Sequence, residues 1–121
     1  MTELARLTRR AEFVAVAGKG RAVSTPGLVL QAMARPGDGA AARVGFTASR
    51  RVGIAVERNR ARRRLKAAAA RLMPEHAAPG RDYVVIARSA AVRRPFAALC
   101  EDLAAALHRL GAWRDGGGAP A

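Results

Sequence analysis

The spacing of apolar residues changes along the first half of the chain, and the change predicts two kinds of element. From Thr8 to Gly20 the apolar positions follow helical spacing, with Thr8 as the expected N-cap and Gly18 or Gly20 as the end. After residue 20 apolar and polar residues alternate, which is typical of strands. Strands are expected over Leu28 to Ala34 and Arg43 to Ser49, with a weaker one over Arg21 to Ser24.

The second half of the chain is predicted to hold two more helices and one more strand. The expected elements are a loop over residues 50–57, a helix from about Arg58 to Leu72 that stops before Pro74, a strand over residues 81–88, and a last helix opened by Pro95 and ended near Gly111. The order α-β-β-β-α-β-α predicts an α+β fold, a single-domain sandwich of helices packed on a sheet. The domain is expected over residues 1–112, with a flexible tail over residues 113–121.

Charge narrows the class of partner. The 121 residues hold 22 lysines and arginines against 9 acids, a net charge of +13. A polyanion is the expected partner, since each phosphate that is neutralised releases condensed counterions. An acidic membrane surface is the alternative, but the most basic segment lacks the Trp, Phe and Leu face of an interfacial helix. No apolar run is long enough to span a bilayer, the N-terminus does not resemble a signal peptide, and Cys100 stands alone, so a cytoplasmic protein is expected.

The most basic segment reads as a folded helix with one charged side. Ala61 and Leu65 share a narrow apolar stripe with Ala68 and Leu72, which can dock on a sheet. Like charges four residues apart, such as Arg62 and Lys66, destabilise a helix unless an anion offsets them. Arginine suits phosphate because its planar fork makes bidentate contacts. The opposite side of this helix carries Asn59, Arg60, Arg62, Arg63 and Lys66, and Arg58 and Arg64 flank the stripe.

One strand is predicted to separate a core face from a polar face. Along residues 43–49 the apolar side chains point one way and Arg43, Gly45, Thr47 and Ser49 point the other. From the residues alone, an ordinary solvated sheet face is the favoured interpretation of the polar side. The choice between DNA and RNA also stays open, because no known nucleic-acid-binding motif of helix, zinc or aromatic type is visible.

Catalytic chemistry by the protein itself is not indicated. Hydrolysis needs a general base or metal-binding carboxylates, and the acids are scattered along the chain. His76 and His108 are interpreted as incidental, and Cys100 belongs to the apolar stripe of the last helix. Trp113 could pack or stack. We therefore expect no catalytic residue and no metal ligand in this chain.

The stretch "RVGFTASRRVGIAVERNRARRRLK" resembles the signature of the bacterial ribonuclease P protein component. That signature runs from a strand into S-[KR]-[KR]-x-G-x-A-V-x-R-N-R-x-[KR]-R, and the resemblance extends over roughly residues 4 to 110. The positions that fit the pattern are Ser49, Arg50, Arg51, Gly53, Ala55, Val56, Arg58, Asn59, Arg60, Arg62 and Arg63.

The resemblance implies a division of labour with RNA. In this family a catalytic RNA subunit hydrolyses precursor tRNA with Mg²⁺, so Mg²⁺ is expected on the RNA and no cofactor on the protein. The implied partners are that RNA subunit and the single-stranded 5′ leader, with no DNA and no membrane. The implied RNA-binding residues are Arg50, Arg51, Arg58, Asn59, Arg60, Arg62, Arg63 and Lys66. The implied leader cleft contains Phe13, Val16, Gln31, Arg43, Thr47 and Ser49. The family also implies a left-handed β-α-β crossover, against the usual right-handed rule.

Two positions depart from the family pattern. Ala17 and Gln31 stand where aromatic residues are common, so stacking of leader bases is expected to depend more on Phe13 and on arginines. Two other functions stay open at this stage. One is a non-catalytic RNA-binding protein of another ribonucleoprotein, such as a ribosome-associated factor, and the other is an independent nuclease.

Overall fold

The computed structural model describes residues 4–35 and 41–115, which form one mixed five-stranded sheet with helices on both faces. The sequence also carries turn signals at Pro36, Gly37, Asp38 and Gly39, and these positions lie outside the described residues. The strands are β1 (Ala5–Arg6), β2 (Arg21–Ser24), β3 (Leu28–Ala34), β4 (Arg43–Thr47) and β5 (Arg81–Ala87). The helices are α1 (Arg10–Lys19), α2 (Ala55–His76) and α3 (Phe96–Arg109), with short 3₁₀ turns over Arg50–Val52 and Ser89–Val92.

The strand order is β1-β4-β5-β3-β2. Strand β5 lies in the centre, parallel to β4 and antiparallel to β3, and β1 is parallel to β4. The predicted α-β-β-β-α-β-α order is confirmed, with β1 as an added two-residue edge strand before α1. Helix α2 connects the parallel neighbours β4 and β5. The hand of this crossover stays a prediction from the family resemblance.

Alternation along the strands divides the apolar residues between two faces of the sheet. One face packs against α2 and α3 and holds the main core, with Leu30, Leu65 and Leu103 fully buried. Tyr83 is also buried there, and its hydroxyl donates to Ala78 O at 2.8 Å. Burial raises the pKa of Tyr83 to about 12. This face therefore supplies most of the apolar burial that stabilises the domain.

The other face is covered by α1 and has a much smaller core. Its fully packed cluster consists of Leu7, Val16 and Val84, and Phe13 is among the partly buried residues beside it. Val16 is the one side chain of α1 with no exposed surface. A ten-residue helix is about 15 Å long, so α1 covers only part of the sheet. The uncovered part leaves room for a groove.

The predicted starts of two helices are wrong. The N-cap of α1 is Arg9 rather than Thr8. Glu12, three residues after Arg9, accepts a hydrogen bond from Arg9 N as in a capping box, and it also accepts one from Thr8 N. The same capping begins α2 earlier than predicted, at Ala55, since Glu57 accepts from Ile54 N at 3.2 Å.

Helix α2 also continues through Pro74 to His76. Proline cannot donate to the carbonyl four residues earlier, so a helix was expected to stop before it. Burial of Met73 and Ala77 and the bond from Ala77 N to Met73 O hold the last turn in place. Strand β4 in turn ends at Thr47, two residues before the predicted end.

The C-terminal boundary of the fold lies later than predicted. Trp113 forms an antiparallel bridge with Ala77, and Arg114 N donates to His76 O at 2.7 Å. The Trp113 ring stacks on His76, with centroids 4.1 Å apart, and on His108 at 4.4 Å. Trp113 and Arg114 therefore belong to the folded domain, and residues 116–121 of the predicted tail lie outside the described residues.

Candidate RNA-binding surface and groove

The start of α2 presents a basic surface, which we define by the eight residues predicted to bind RNA. A tight turn precedes the helix: Ser49 Oγ accepts from Arg51 N at 3.3 Å, and Gly53 follows with φ of 149°. A Cβ at Gly53 would lie 2.2 Å from Glu57 Oε1, so glycine lets the capping carboxylate pass beneath the turn. The basic surface consists of Arg50, Arg51, Arg58, Asn59, Arg60, Arg62, Arg63 and Lys66.

Most of the basic surface is free to meet a partner. Arg58 and Arg62 are half-buried and the other six residues are exposed. Arg62 donates to Asn59 Oδ1, and Arg60 Nε donates to Val92 O at 3.0 Å. Arg60 is therefore partly committed to holding the 3₁₀ turn before α3. Arg50 and Arg51 lie in the 3₁₀ turn that contacts α2, and the other six predicted residues lie in α2 itself.

Arg64 has a different position from its basic neighbours. It points inward, where its two terminal nitrogens donate to Ala91 O at 2.6 Å and to Arg94 O. Burial, with a smaller effect of Arg60, lowers the pKa of Arg64. Arg64 thus joins α2 to the 3₁₀ turn Ser89–Val92, as its position beside the apolar stripe allows.

Sequence reasoning missed three residues beside this surface. Arg93 is 79% exposed and lies 3.4 Å from Glu57 Oε2. Ile54 and Val56 are 69% and 72% exposed, although both are large apolar side chains. The arginine pair before Pro95 was the available signal for Arg93. Ile54 and Val56 were hidden because apolar residues are normally assigned to the core.

A groove of about 300 Å³ lies between α1 and the sheet, on the face opposite to the main core. Three of the six predicted cleft residues line it: Phe13, Gln31 and Thr47. Arg10 contributes a positive charge at its edge. The remaining lining residues are Ala17, which the family pattern had pointed to, and Val14, Val84 and Ile86, which sequence reasoning missed.

The other three predicted cleft residues have different positions. Val16 is fully buried beneath α1, so it supports the helix and offers no surface to a ligand. Arg43 is occupied by ion pairs with Glu12 and Asp82. Ser49 is exposed and caps the turn before α2, outside the lining of the groove. Sequence alternation placed Arg43 on the correct strand face but could not show its partners, and Ser49 lies beyond the end of β4.

Pairing between strands arranges the sheet below α1 in three rows. The rows are Met33–Asp82–Arg43, Gln31–Val84–Gly45 and Val29–Ile86–Thr47. Phe13 lies over the middle row, where a Cβ at Gly45 would be 2.4 Å from two atoms of its ring. Glycine at this position therefore lets the aromatic ring approach the sheet. The third row stays open and forms part of the groove floor.

Exposed arginines suit the phosphates of a nucleic acid, and the groove with its aromatic ring suits unstacked bases. In the described part of the chain, no three His, Cys, Asp or Glu residues are grouped so as to hold a metal ion. Glu12, the acid closest in sequence to Phe13, is paired with Arg43. Among residues 4–35 and 41–115, no helix has both the length and the apolar character that crossing a bilayer demands.

An exposed basic helix surface and a groove that contains Phe13 are typical of a nucleic-acid-binding protein of α+β fold, and comparison with known proteins gives its family. The family model for Ribonuclease P matches residues 1–111. The chain is 51% identical over 112 residues to the ribonuclease P protein component of Paramagnetospirillum magneticum, covering 90% of this chain and 84% of that protein. It is 45% identical over 113 residues to the Caulobacter vibrioides component, covering 93% and 75% respectively.

Solved structures have the same fold. The Staphylococcus aureus RNase P protein superposes with a TM-score of 0.76 at 22% identity, over 93% of this chain and all of that one. The Thermotoga maritima protein gives 0.69 at 26% identity, over 87% and 94%. The chain belongs to the ribonuclease P protein family. It is accordingly the protein component of a tRNA-processing endoribonuclease complex, with an RNA subunit as its partner.

Proposed function

We propose that this protein positions precursor tRNA for cleavage by the RNA subunit and does none of the bond breaking itself. The basic surface binds the catalytic RNA, and the groove beside α1 holds the single-stranded 5′ leader. Mg²⁺ acts on the RNA, and the complex works in the cytoplasm. The observation that carries this proposal is the separation of a basic helix surface from a groove that combines Phe13, Gln31 and Thr47 with Arg10.

The groove residues suit a leader strand. Aromatic and apolar side chains accept the faces of unstacked bases with little dependence on sequence. Phe13 supplies the ring, while Val14 and Ile86 extend the apolar surface. The amide of Gln31 and the hydroxyl of Thr47 can donate to and accept from base edges. Arg10 can neutralise a backbone phosphate at the edge of the groove.

The protein's acids do not fit a role as Mg²⁺ ligands. Mg²⁺ prefers several oxygen ligands in octahedral geometry, and the described residues hold no group of three acids or histidines that could supply them. Mg²⁺ is therefore assigned to the RNA rather than to the protein. The arginines instead screen charge as the RNA subunit and precursor approach each other, which Mg²⁺ would otherwise do.

A cleavage assay at low Mg²⁺ tests this division of labour. Precursor tRNA is incubated with RNA-free protein, with the RNA subunit, and with both. We expect no cleavage by the protein alone at any Mg²⁺ concentration, and a lower Mg²⁺ requirement for the complex than for the RNA subunit. The benefit should be larger for precursor than for mature tRNA. Cleavage at the mature 5′ end by RNA-free protein would overturn the proposal.

A further inference from the structure

Three charged side chains meet where α1 begins. Arg43 Nε donates to Asp82 Oδ1 at 2.8 Å, and Arg43 Nη2 donates to Asp82 Oδ2 at 2.6 Å. The third nitrogen, Nη1, donates to Glu12 Oε2 at 2.7 Å. A guanidinium held at two points on one carboxylate has a fixed orientation, so Nη1 points at a defined place above the sheet. That place is occupied by the first turn of α1.

The other oxygen of Glu12 holds the start of the helix. Glu12 Oε1 accepts from Arg9 N at 2.9 Å and from Thr8 N at 3.1 Å. These backbone bonds, followed by the charge of Arg43, lower the pKa of Glu12. Glu12 therefore connects the helix cap to β4 through Arg43, and Arg43 connects it to β5 through Asp82.

Asp82 is shared by two arginines and is almost completely buried, at 2% exposure. Arg35 Nη1 donates to Asp82 Oδ1 at 3.1 Å, and its Nη2 donates to Ala41 O at 2.8 Å. The two carboxylates and two guanidinium groups balance in charge. A buried charge that loses its partner is strongly destabilising, so this ion-pair network keeps one arrangement.

The ring that faces the groove lies next to the network. Phe13 follows Glu12 on α1, and its ring lies on Gly45, two residues beyond Arg43 on the same face of β4. The remaining apolar anchor of α1 is Val16. With one buried side chain and one ionic anchor, the place of α1 over the sheet depends heavily on the network.

We propose that Glu12, Arg43 and Asp82 are positioning residues that set the place of α1, and thereby the width of the groove and the position of Phe13. Arg43 then affects leader binding indirectly, because its three side-chain nitrogens donate to the two carboxylates. This inference rests on the proposed binding of the leader in the groove.

The variant Glu12→Gln tests the inference with little change of shape. Glutamine has one acceptor oxygen and no charge, so it cannot serve both the helix cap and Arg43. In complex with the RNA subunit, we expect weaker binding of precursor and unchanged binding of mature tRNA. The loss should not exceed the roughly 5- to 150-fold that a missing base stack gives. Glu101→Gln, an exposed acid on α3, is the matched control and should change neither affinity.

A double-mutant cycle separates positioning from direct contact. If Glu12 acts through Phe13, Glu12→Gln should weaken precursor binding in the wild-type background and add little in the Phe13→Ala background. Glu12→Asp keeps the charge and should retain part of the binding. A full additional loss in the Phe13→Ala background, or equal losses for precursor and mature tRNA, would overturn the inference.

Hydrogen exchange of the free protein distinguishes failure of the inference from failure of the proposed function. Glu12→Gln should accelerate exchange of the amides of residues 10–19 while the amides of α3 stay protected. Unchanged exchange in α1 would overturn the positioning role. Faster exchange in α1, with no effect of either Glu12→Gln or Phe13→Ala on precursor binding, would instead show that the leader does not bind in this groove.

Discussion

The two faces of the sheet are built from the same strands but have different structural roles. Along β5, Tyr83 and Val85 point into the core beneath α2 and α3, whereas Asp82, Val84 and Ile86 point toward α1. The first face is covered by two helices with an extensive apolar cluster. The second is covered by one short helix held by a small cluster and by ion pairs. Stability is therefore concentrated on one face, which leaves the other free to keep a groove open.

This difference explains how a small domain combines rigidity with an accessible site. A strand alternates its side chains between two faces, so one face can be filled with leucine, valine and alanine without constraining the other. Helix α2 packs on the core face, and its outer side carries most of the basic surface. Variants that act on one face should leave the function of the other intact.

The largest expected effect is on the core face. Leu103 is fully buried among the α2 and α3 residues. Leu103→Ala should lower the free energy of unfolding by about 2–5 kcal/mol, because it removes apolar contacts and leaves a cavity. Denaturant unfolding measures this loss. Val14→Ala, at a groove position that is 58% exposed, should leave stability nearly unchanged. If folded Leu103→Ala protein had a changed ratio of affinities for precursor and mature tRNA, the two faces would not be functionally independent.

The next effect concerns the outer side of α2. The side chains of Arg58, Arg63 and Lys66 have no hydrogen-bond or ion-pair partner within residues 4–35 and 41–115, so their replacement by alanine should spare the fold. Three lost phosphate contacts would reduce the log–log salt slope of binding to the RNA subunit by up to about 3. Between 50 and 200 mM salt, the ratio of the variant's dissociation constant to that of wild type should therefore change by roughly 50-fold.

The salt titration also has a matched control. Arg64→Ala removes one positive charge of the same helix from an inward-facing position, so it should lower stability and leave the salt slope nearly unchanged. An unchanged slope in the triple variant would show that its three side chains do not contact phosphate.

A third effect, of similar order, is expected from the groove. Phe13→Ala should raise the dissociation constant for precursor by about 5- to 150-fold, since a base–aromatic stack contributes about 1–3 kcal/mol. Binding of mature tRNA should barely change. Equal losses for both RNAs, or loss of the thermal unfolding transition, would show that Phe13 serves mainly to pack α1 on Gly45.

The smallest effect is expected from Val56, an exposed apolar residue within the basic region. Val56→Thr keeps the shape and removes a methyl group, so affinity for the RNA subunit should fall by about threefold if this surface is buried on binding. The salt slope should not change, because no charge is lost. A changed slope would mean that the substitution disturbs the neighbouring arginines rather than an apolar contact.

Local sequence determined the main elements and the basic surface. The apolar periodicity of residues 10–19, 28–34 and 96–110 follows the repeat of a single helix or strand. It therefore predicted those helices and that strand closely. The charges of α2 are likewise local, because residues three and four apart share a helix side. The resemblance to the ribonuclease P signature rested on the same contiguous stretch.

Tertiary structure alone decided how the elements are anchored and which groove residues are accessible. Strand β1 is two residues long and exists because it pairs with β4, a contact that no local pattern can reveal. Arg43 resembled a ligand-binding residue on a polar strand face, but it is paired with Asp82, 39 positions later in the chain. Val16 is buried because α1 turns it toward Leu7 and Val84. In each case the deciding partner is distant in sequence, and its position is set only when the chain folds.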